Sequence, residues 1–549
     1  MHNKTKLLIF ASLLLAACST DPMQEIPNRG DSAPEIETSG KICNTSDDAV
    51  AGSLIVKFGE EAIPSLEQNA LNAAKTRSAL TRSGIESVDD ILNDLHVTSL
   101  ERVFPEAGEH EARTRAAGLH RWYVLRFASE EDLDKAAERL AGVAEISKVQ
   151  FRTRLYRASD CKTYPFQATA NGQTRALVTA DFNDPNLFWQ WHYINNADQA
   201  VATTSVAGAD INVADAWKLT AGNPEVIVAI VGEGVKYTHP DLAANMWINP
   251  NPSPEYKNQD IHGWNFAADG SISWGQKGDS GHGTHVAGTV AAVNNNGVGV
   301  CGVAGGTGRN DGVKLMSCQI FSGNDATSGA ITTSAEAIKY AADNGAAIIQ
   351  CSFGSKAGAY TSDSAYERGS GVQYNAIKYF IESQNCDAVG GGVVIFAAGN
   401  DATAMSGYPG AYHDYISVTS FSPDYLPAYY TNYGPGCNIS APGGDYKISA
   451  DAAKTYAEVL STVPSELSEY NGADYGFMQG TSMACPHVSG VAALGLSYAL
   501  QLGKTFTQNE FTTLLLTSVI DINQYCTGTK QYFTDKGSLA MLDLSQYKK

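Results

Sequence analysis

Five short segments of this chain are largely apolar along their whole length instead of at every second residue: 226–231, 313–319, 347–352, 393–398 and 415–420. Strands of that kind are stable where both faces of a sheet are covered, because a half-solvated strand would alternate. Segments 334–344, 372–382 and 488–502 carry helical character between and after them. This alternation predicts an α/β fold with a doubly wound, mostly parallel sheet over residues 184–549. No internal repeat or low-complexity block interrupts it.

The chain before residue 184 is of another kind. With 549 residues it is too long for one core. Strand patterns at 53–58, 98–104, 122–127 and 148–156 and helical patterns at 65–81 and 130–143 give a β-α-β-β-α-β order. That order predicts a small α+β, ferredoxin-like domain over 49–157. Residues 158–183 are polar and weakly periodic, an exposed linker. Residues 19–48, with Pro22, Pro27 and Pro34, read as a flexible tether. At the start, Lys4 and Lys6 precede an apolar stretch over 7–17 that is too short to span a bilayer. It ends in Leu15-Ala16-Ala17-Cys18, which is similar to a lipobox, with Cys18 lipidated and residues 1–18 a signal peptide; the other reading is an ordinary signal peptide with a chance cysteine. Lipidation would hold the protein on a membrane of a Gram-negative-type cell envelope, at the outer membrane or cell surface.

A net charge of −20 excludes nucleic acid as the partner, since phosphate binding needs clustered Lys and Arg. Ten cysteines are present, and assigning Cys18 to lipid leaves an odd nine. None forms a CxxC pair, which argues against zinc. Cys318, Cys351 and Cys485 lie in apolar or small-residue segments and are expected as buried free thiols, and no disulfide pairing is assigned.

Three blocks carry chemistry. In Gly480-Thr481-Ser482-Met483-Ala484-Cys485-Pro486-His487 a serine stands just before a buried helix, where free backbone N–H groups favour a developing negative charge. In Gly281-His282-Gly283-Thr284-His285, His282 is sterically open between two glycines, as a base must be; a lone histidine is otherwise more often structural, and His285 is expected to pack on the helix. Asn400 ends the 393–398 strand, where an amide N–H could bind an oxyanion; by itself an asparagine there is usually a turn residue.

Taken together and in this order, the blocks resemble the subtilisin-like serine peptidases. Thr238-His239-Pro240-Asp241-Leu242, Tyr408-Pro409-Gly410 and Ser440-Ala441-Pro442-Gly443 support the resemblance, which covers roughly 184–545. It implies Ser482 as nucleophile, His282 as general base and Asn400 as oxyanion donor. It implies Ser352-Phe353-Gly354 as the wall that pairs with the substrate backbone, and Gly407 as a pocket floor with room for a large apolar residue before the scissile bond. Protein or peptide substrates follow. The 49–157 domain is then a propeptide that aids folding and inhibits in cis, released by cleavage within 158–183. No cofactor is required; structural calcium is allowed, with no ligand set to name.

One position departs from the family. Its triad aspartate falls on Gly232, so no carboxylate is present there to orient His282. Glu233 is adjacent, but successive strand side chains point to opposite faces. Asp279, three residues before His282, is a weaker substitute. Loss of this carboxylate lowers kcat by about 10⁴-fold in the triads of trypsin and subtilisin, from which the factor is carried over. From about 10 s⁻¹ that leaves on the order of 10⁻³ s⁻¹, enough for one self-cleavage and poor for digestion. Two readings follow: a lipid-anchored serine endopeptidase of reduced activity, or a pseudoprotease that binds peptides or partner proteins without turnover.

Overall fold

The computed structural model describes residues 40–128, 130–158, 163–166, 182–323, 328–451 and 455–527, with the backbone of 540–542. The signal segment, Cys18, the tether before residue 40 and most of the linker lie outside the described residues.

The N-terminal domain runs β1 (Ala49–Phe58), α1 (Ile63–Thr76), α2 (Glu86–Asp94), β2 (Ser99–Arg102), α3 (Glu111–Ala116), β3 (Trp122–Arg126), α4 (Leu133–Ala141) and β4 (Ile146–Thr153). Its sheet has the order β2-β3-β1-β4 and is antiparallel throughout, as the ferredoxin-like expectation requires. Side-chain alternation gives each face of this sheet a different partner. Leu54, Val56, Phe58, Tyr123 and Leu125 join a core with Leu66, Leu92 and Leu140 from the domain's own helices. Ile55, Trp122 and Val124 point the other way, into a core shared with the large domain. Polar contacts frame that second face: Arg152 Nε donates to Thr332 Oγ1 at 2.8 Å, the Val372 N–H to Gln150 Oε1 at 3.2 Å, and Arg113 pairs with Asp343 at 2.9 Å.

Three details differ from expectation. Helix α1 stops at Thr76, because Arg77 turns left-handed (φ 53°) and its N–H caps the Ala73 and Ala74 carbonyls. Helices α2 and α3 are short, and α2 buries only Val88 and Leu92, too little apolar periodicity to announce it. The tether does not extend to residue 48: the Cys43 N–H bonds the Val149 carbonyl at 2.9 Å, and the Asn44 side chain bonds both Phe151 backbone groups. The prolines that suggested a tether all lie before this stretch.

The large domain is built on a nine-stranded sheet. In spatial order its strands are Val519–Asp521, Ala540–Leu542, Ile439–Pro442, Ile416–Phe421, Val393–Ala397, Ile348–Cys351, Ile227–Glu233, Lys314–Phe321 and Gly263–Asn265. All neighbours are parallel except the Val519–Asp521 and Ala540–Leu542 pair, which confirms the doubly wound, mostly parallel sheet. Helices cover both faces. In strand Ile227–Glu233, Val228 and Ile230 enter the core that contains helices His282–Ala291 and Thr481–Gln501. Ala229 and Val231 enter the core with helices Ile331–Asp343 and Gly371–Ile381, on which the small domain docks. The chain passes from Ile227–Glu233 to Lys314–Phe321 on one side and then to Ile348–Cys351 on the other. The carboxyl ends of these strands therefore border a topological switch point, where open α/β sheets place their ligands.

Cys318, Cys351 and Cys485 are buried free thiols, as expected.

Candidate active site

Ser482 is the second residue of helix Thr481–Gln501, which begins seven residues before the expected start at 488. Pro486 obscured that start in the sequence. A proline inside a helix withholds the N–H that should reach the carbonyl four residues back, here that of Ser482. The Ser352 hydroxyl takes its place, donating to the Ser482 carbonyl at 2.9 Å, and itself accepts from Gln350 Nε2 at 2.7 Å. The break that a proline causes is thus repaired from the neighbouring strand end. Gly480 precedes the helix at φ 148°, a backbone that favours glycine. The Ser482 hydroxyl is buried and lies 3.5 Å from the Ser352 carbonyl.

His282 opens helix His282–Ala291, and its N–H donates to Ser280 Oγ at 3.2 Å. Gly283 lets this helix start against the sheet: a Cβ there would stand 2.3 Å from the Glu233 carbonyl oxygen. The imidazole is buried, and its Nε2 has no hydrogen-bond partner among the described residues. Burial, with the Arg157 charge and His285 adding to it, pushes the His282 pKa down to about 3. His285 meets the Val459 carbonyl at 3.0 Å and has the packing role expected of it.

Asn400 is fixed from one side. Its Oδ1 accepts from both the N–H and the hydroxyl of Thr481, each at 2.9 Å. The amide can then point only one way, and Nδ2 is left buried without a partner among the described residues. A buried N–H donor without an acceptor is costly unless an acceptor arrives during function. Thr481 was not anticipated; its place beside the serine at the helix start is the signal that would have found it.

Gly232 shares the parity of Val228 and Ile230 and so faces the side of the sheet that carries His282 and Ser482. A Cβ built there meets nothing within 4 Å. Glu233 lies on the other side of a register shift in the strand. Its carboxylate accepts from Ser280 Oγ and pairs with Arg157, Nε to Oε1 at 2.5 Å, and it makes no bond to His282. Asp279 accepts the Gln276 and Gly323 N–H groups at 2.9 and 3.0 Å, a loop-closing role. Neither carboxylate replaces the missing one.

The groove beside these residues is filled by the chain itself. The strand Tyr156–Arg157 pairs antiparallel with Phe353–Gly354, Arg157 opposite Phe353 and Tyr156 opposite Gly354. On either side of that pair, the Ala158 N–H donates to the Ser352 carbonyl at 3.1 Å and the Leu155 N–H to the Gly329 carbonyl at 2.6 Å. Ser352, Phe353 and Gly354 thus face the backbone of this segment, while the small domain's last strand ends at Thr153, short of the expected 156, and Tyr156–Arg157 forms a separate strand. Ala158 sits at the mouth of a cavity of about 390 Å³ whose lining includes Gly354, Asn400, Gly407, Tyr430 and Asn432. Gly407 lines this cavity, where a Cβ would stand 3.1 Å from the Ser355 carbonyl oxygen, and the lining is mixed in polarity and is not an apolar slot. Among the described residues no group of three or more His, Cys, Asp or Glu is placed to hold a metal ion.

Comparison with known proteins agrees with this architecture. The family model described as Subtilase family matches residues 223–543. The extracellular basic protease of Dichelobacter nodosus is 30% identical over 361 residues, covering 62% of this chain and 52% of that protein. Thermitase of Thermoactinomyces vulgaris is 32% identical over 284 residues, covering 52% of this chain and 79% of that protein. The chain thus spans about half the length of the first of these relatives. Among solved structures, fervidolysin from Fervidobacterium pennivorans superposes with a TM-score of 0.57 at 21% identity, over 93% of this chain and 64% of that one, a likeness of fold.

Proposed function

The chain belongs to the subtilase family of serine proteases, and from that premise we propose that it is a serine endopeptidase held by its own propeptide in a product-like state. Ser482 Oγ attacks the carbonyl of the residue seated at Ala158, His282 takes the proton, and an acyl-enzyme forms on Ser482. Asn400 Nδ2 and the Ser482 N–H, in the first turn of its helix, receive the oxyanion. His282 returns the proton to the amine that leaves as the C–N bond breaks, and water, deprotonated by His282 in turn, then hydrolyses the acyl-enzyme and frees Ser482. Without a carboxylate at 232 the imidazolium is formed unaided, and turnover is slow.

The observation that carries this reading is the register of the 155–158 segment. Its antiparallel pairing with Phe353–Gly354 brings Ala158 into the cavity that Asn400 lines. Cleavage after Ala158 would make the 49–157 domain a propeptide and inhibitor. The relatives' description as extracellular accords with export, and Cys18 would then tether the unprocessed chain to a membrane of the cell envelope. A second reading, a peptide-binding pseudoprotease, is favoured by Gly232 and by the unpartnered His282 Nε2.

Fluorophosphonate labelling of Ser482, with N-terminal sequencing of the products, separates the two. The endopeptidase gives slow labelling in the native chain and a new N-terminus at residue 159. Labelling and processing seen only in a Gly232→Asp variant would establish the pseudoprotease.

A further inference from the structure

The ion pair between Glu233 and Arg157 has no role in the chemistry above. Its two members differ in exposure: the Glu233 side chain is 3% exposed and that of Arg157 30%. The carboxylate is built into the large domain, and the cation comes from the segment in the groove. Arg157 is the residue immediately before Ala158, so a substrate would present its P2 side chain there, two residues before the scissile bond. The surroundings suit a guanidinium. Its Cζ lies 5.8 Å from the centre of the Phe321 ring, within cation–π range. Glu233 is held from behind by Ser280 Oγ, so it does not have to be ordered on binding. Arg157 is also its one ion-pair partner among the described residues. Once the segment leaves, a buried carboxylate remains with its cation removed, and such a site favours any ligand that restores the charge.

We propose that Glu233 makes the groove selective for a cationic residue at P2, arginine above lysine, so that the substrates are peptides and proteins carrying arginine one residue before the cleaved residue. This rests on the peptidase reading above. The same pair bears on catalysis. A P2 guanidinium beside His282 opposes formation of the imidazolium, and Glu233 neutralises that opposition. Removing the carboxylate should then raise KM and lower kcat together for arginine peptides.

The test uses the full chain and internally quenched peptides that differ only at P2: arginine, lysine, the neutral isostere citrulline, or alanine. The expected kcat/KM for arginine over citrulline is about 10- to 100-fold, the scale of a charge-assisted pair, collapsing to near unity in Glu233→Gln. A Glu233→Arg chain should turn the preference toward P2 glutamate, an inversion that a merely structural carboxylate would not produce. Equal rates for arginine and citrulline in the native chain, or an arginine preference that survives in Glu233→Gln, would overturn the proposal. Because turnover itself is proposed, the pair is also read without it, by hydrogen exchange at residues 156–158 in the intact chain. Arg157→Ala and Glu233→Gln should each speed exchange about 10-fold or more, with no further gain when combined. Additive effects would overturn the cation subsite. Shared effects with no peptide cleaved would retain it and discard the peptidase reading.

Discussion

Under the proposed mechanism, Gly232 would set the working range of His282 as well as its efficiency. Apart from its chain neighbours, no atom of the described residues lies within 4 Å of a Cβ built there, so the backbone at Gly232→Asp should accept the new side chain. The expected gain in kcat/KM is about 10³- to 10⁴-fold, the range carried over from trypsin and subtilisin triads, measured on any peptide the native chain cleaves. The pH profile should move as well. A base must be neutral to act, and burial holds His282 neutral down to about pH 3. A carboxylate beside it favours the imidazolium and raises its pKa. The acid limb of Ser482 labelling should therefore lie well below pH 6 in the native chain and shift to higher pH in the variant; a limb that stays in place would mean that the new carboxylate does not reach the ring.

At the scale of elements, Ser482 depends on a strand end as much as on its own helix. Ser352 supplies the hydrogen bond that Pro486 cannot, so Ser352→Ala leaves the Ser482 carbonyl buried and unpaired. That should cost about 1–3 kcal/mol of stability, seen as a lower denaturation midpoint, and slow Ser482 labelling; Ser352→Thr, which keeps the hydroxyl, should restore both. Elements set by near-continuous apolar runs were legible in the sequence. The five central strands follow from composition alone, whereas the place of Gly232 beside His282 came from the resemblance, alternation adding only that Glu233 faces the other way. The start of helix Thr481–Gln501 did not, because Pro486 reads locally as a break and the group that repairs it is 130 residues away. Nor did the groove's occupant: Tyr156–Arg157 is two residues long, and its partner strand is chosen by tertiary packing, which no local pattern encodes.

For the whole molecule, buried titratable groups shape stability against pH. Burial pushes His282 and His487 down to about 3 and His285 to about 4, while His192 and His239 are also lowered. Below the unfolded value of about 6.5 the unfolded chain takes up protons that the folded chain refuses, so these groups remove stability as pH falls toward 3. Burial pushes Asp241 up to about 7 and Glu458 up to about 8. Above the unfolded value of about 4 the folded chain keeps protons that the unfolded chain sheds, so these two remove stability as pH rises toward 8. The histidines no longer oppose this above about 6.5. Glu336, also pushed up to about 8, adds to this decline, and Lys57, pushed down to about 8, opposes it; Glu458→Gln should therefore make the Tm profile between pH 6.5 and 8.5 less downward, and a profile left unchanged by the substitution would contradict it.

The segment at 155–158 belongs to the same chain as the groove that holds it, and this makes concentration a property of the covalent structure. While the chain is intact, the groove faces its occupant at an effective concentration on the order of millimolar, whatever the dilution of the protein. A free peptide must exceed that to enter. After a cut behind Ala158 the same contacts become bimolecular, and the small domain is retained only as its affinity and the local protein density allow. A single bond cleavage would thereby convert inhibition that dilution cannot relieve into inhibition that dilution removes.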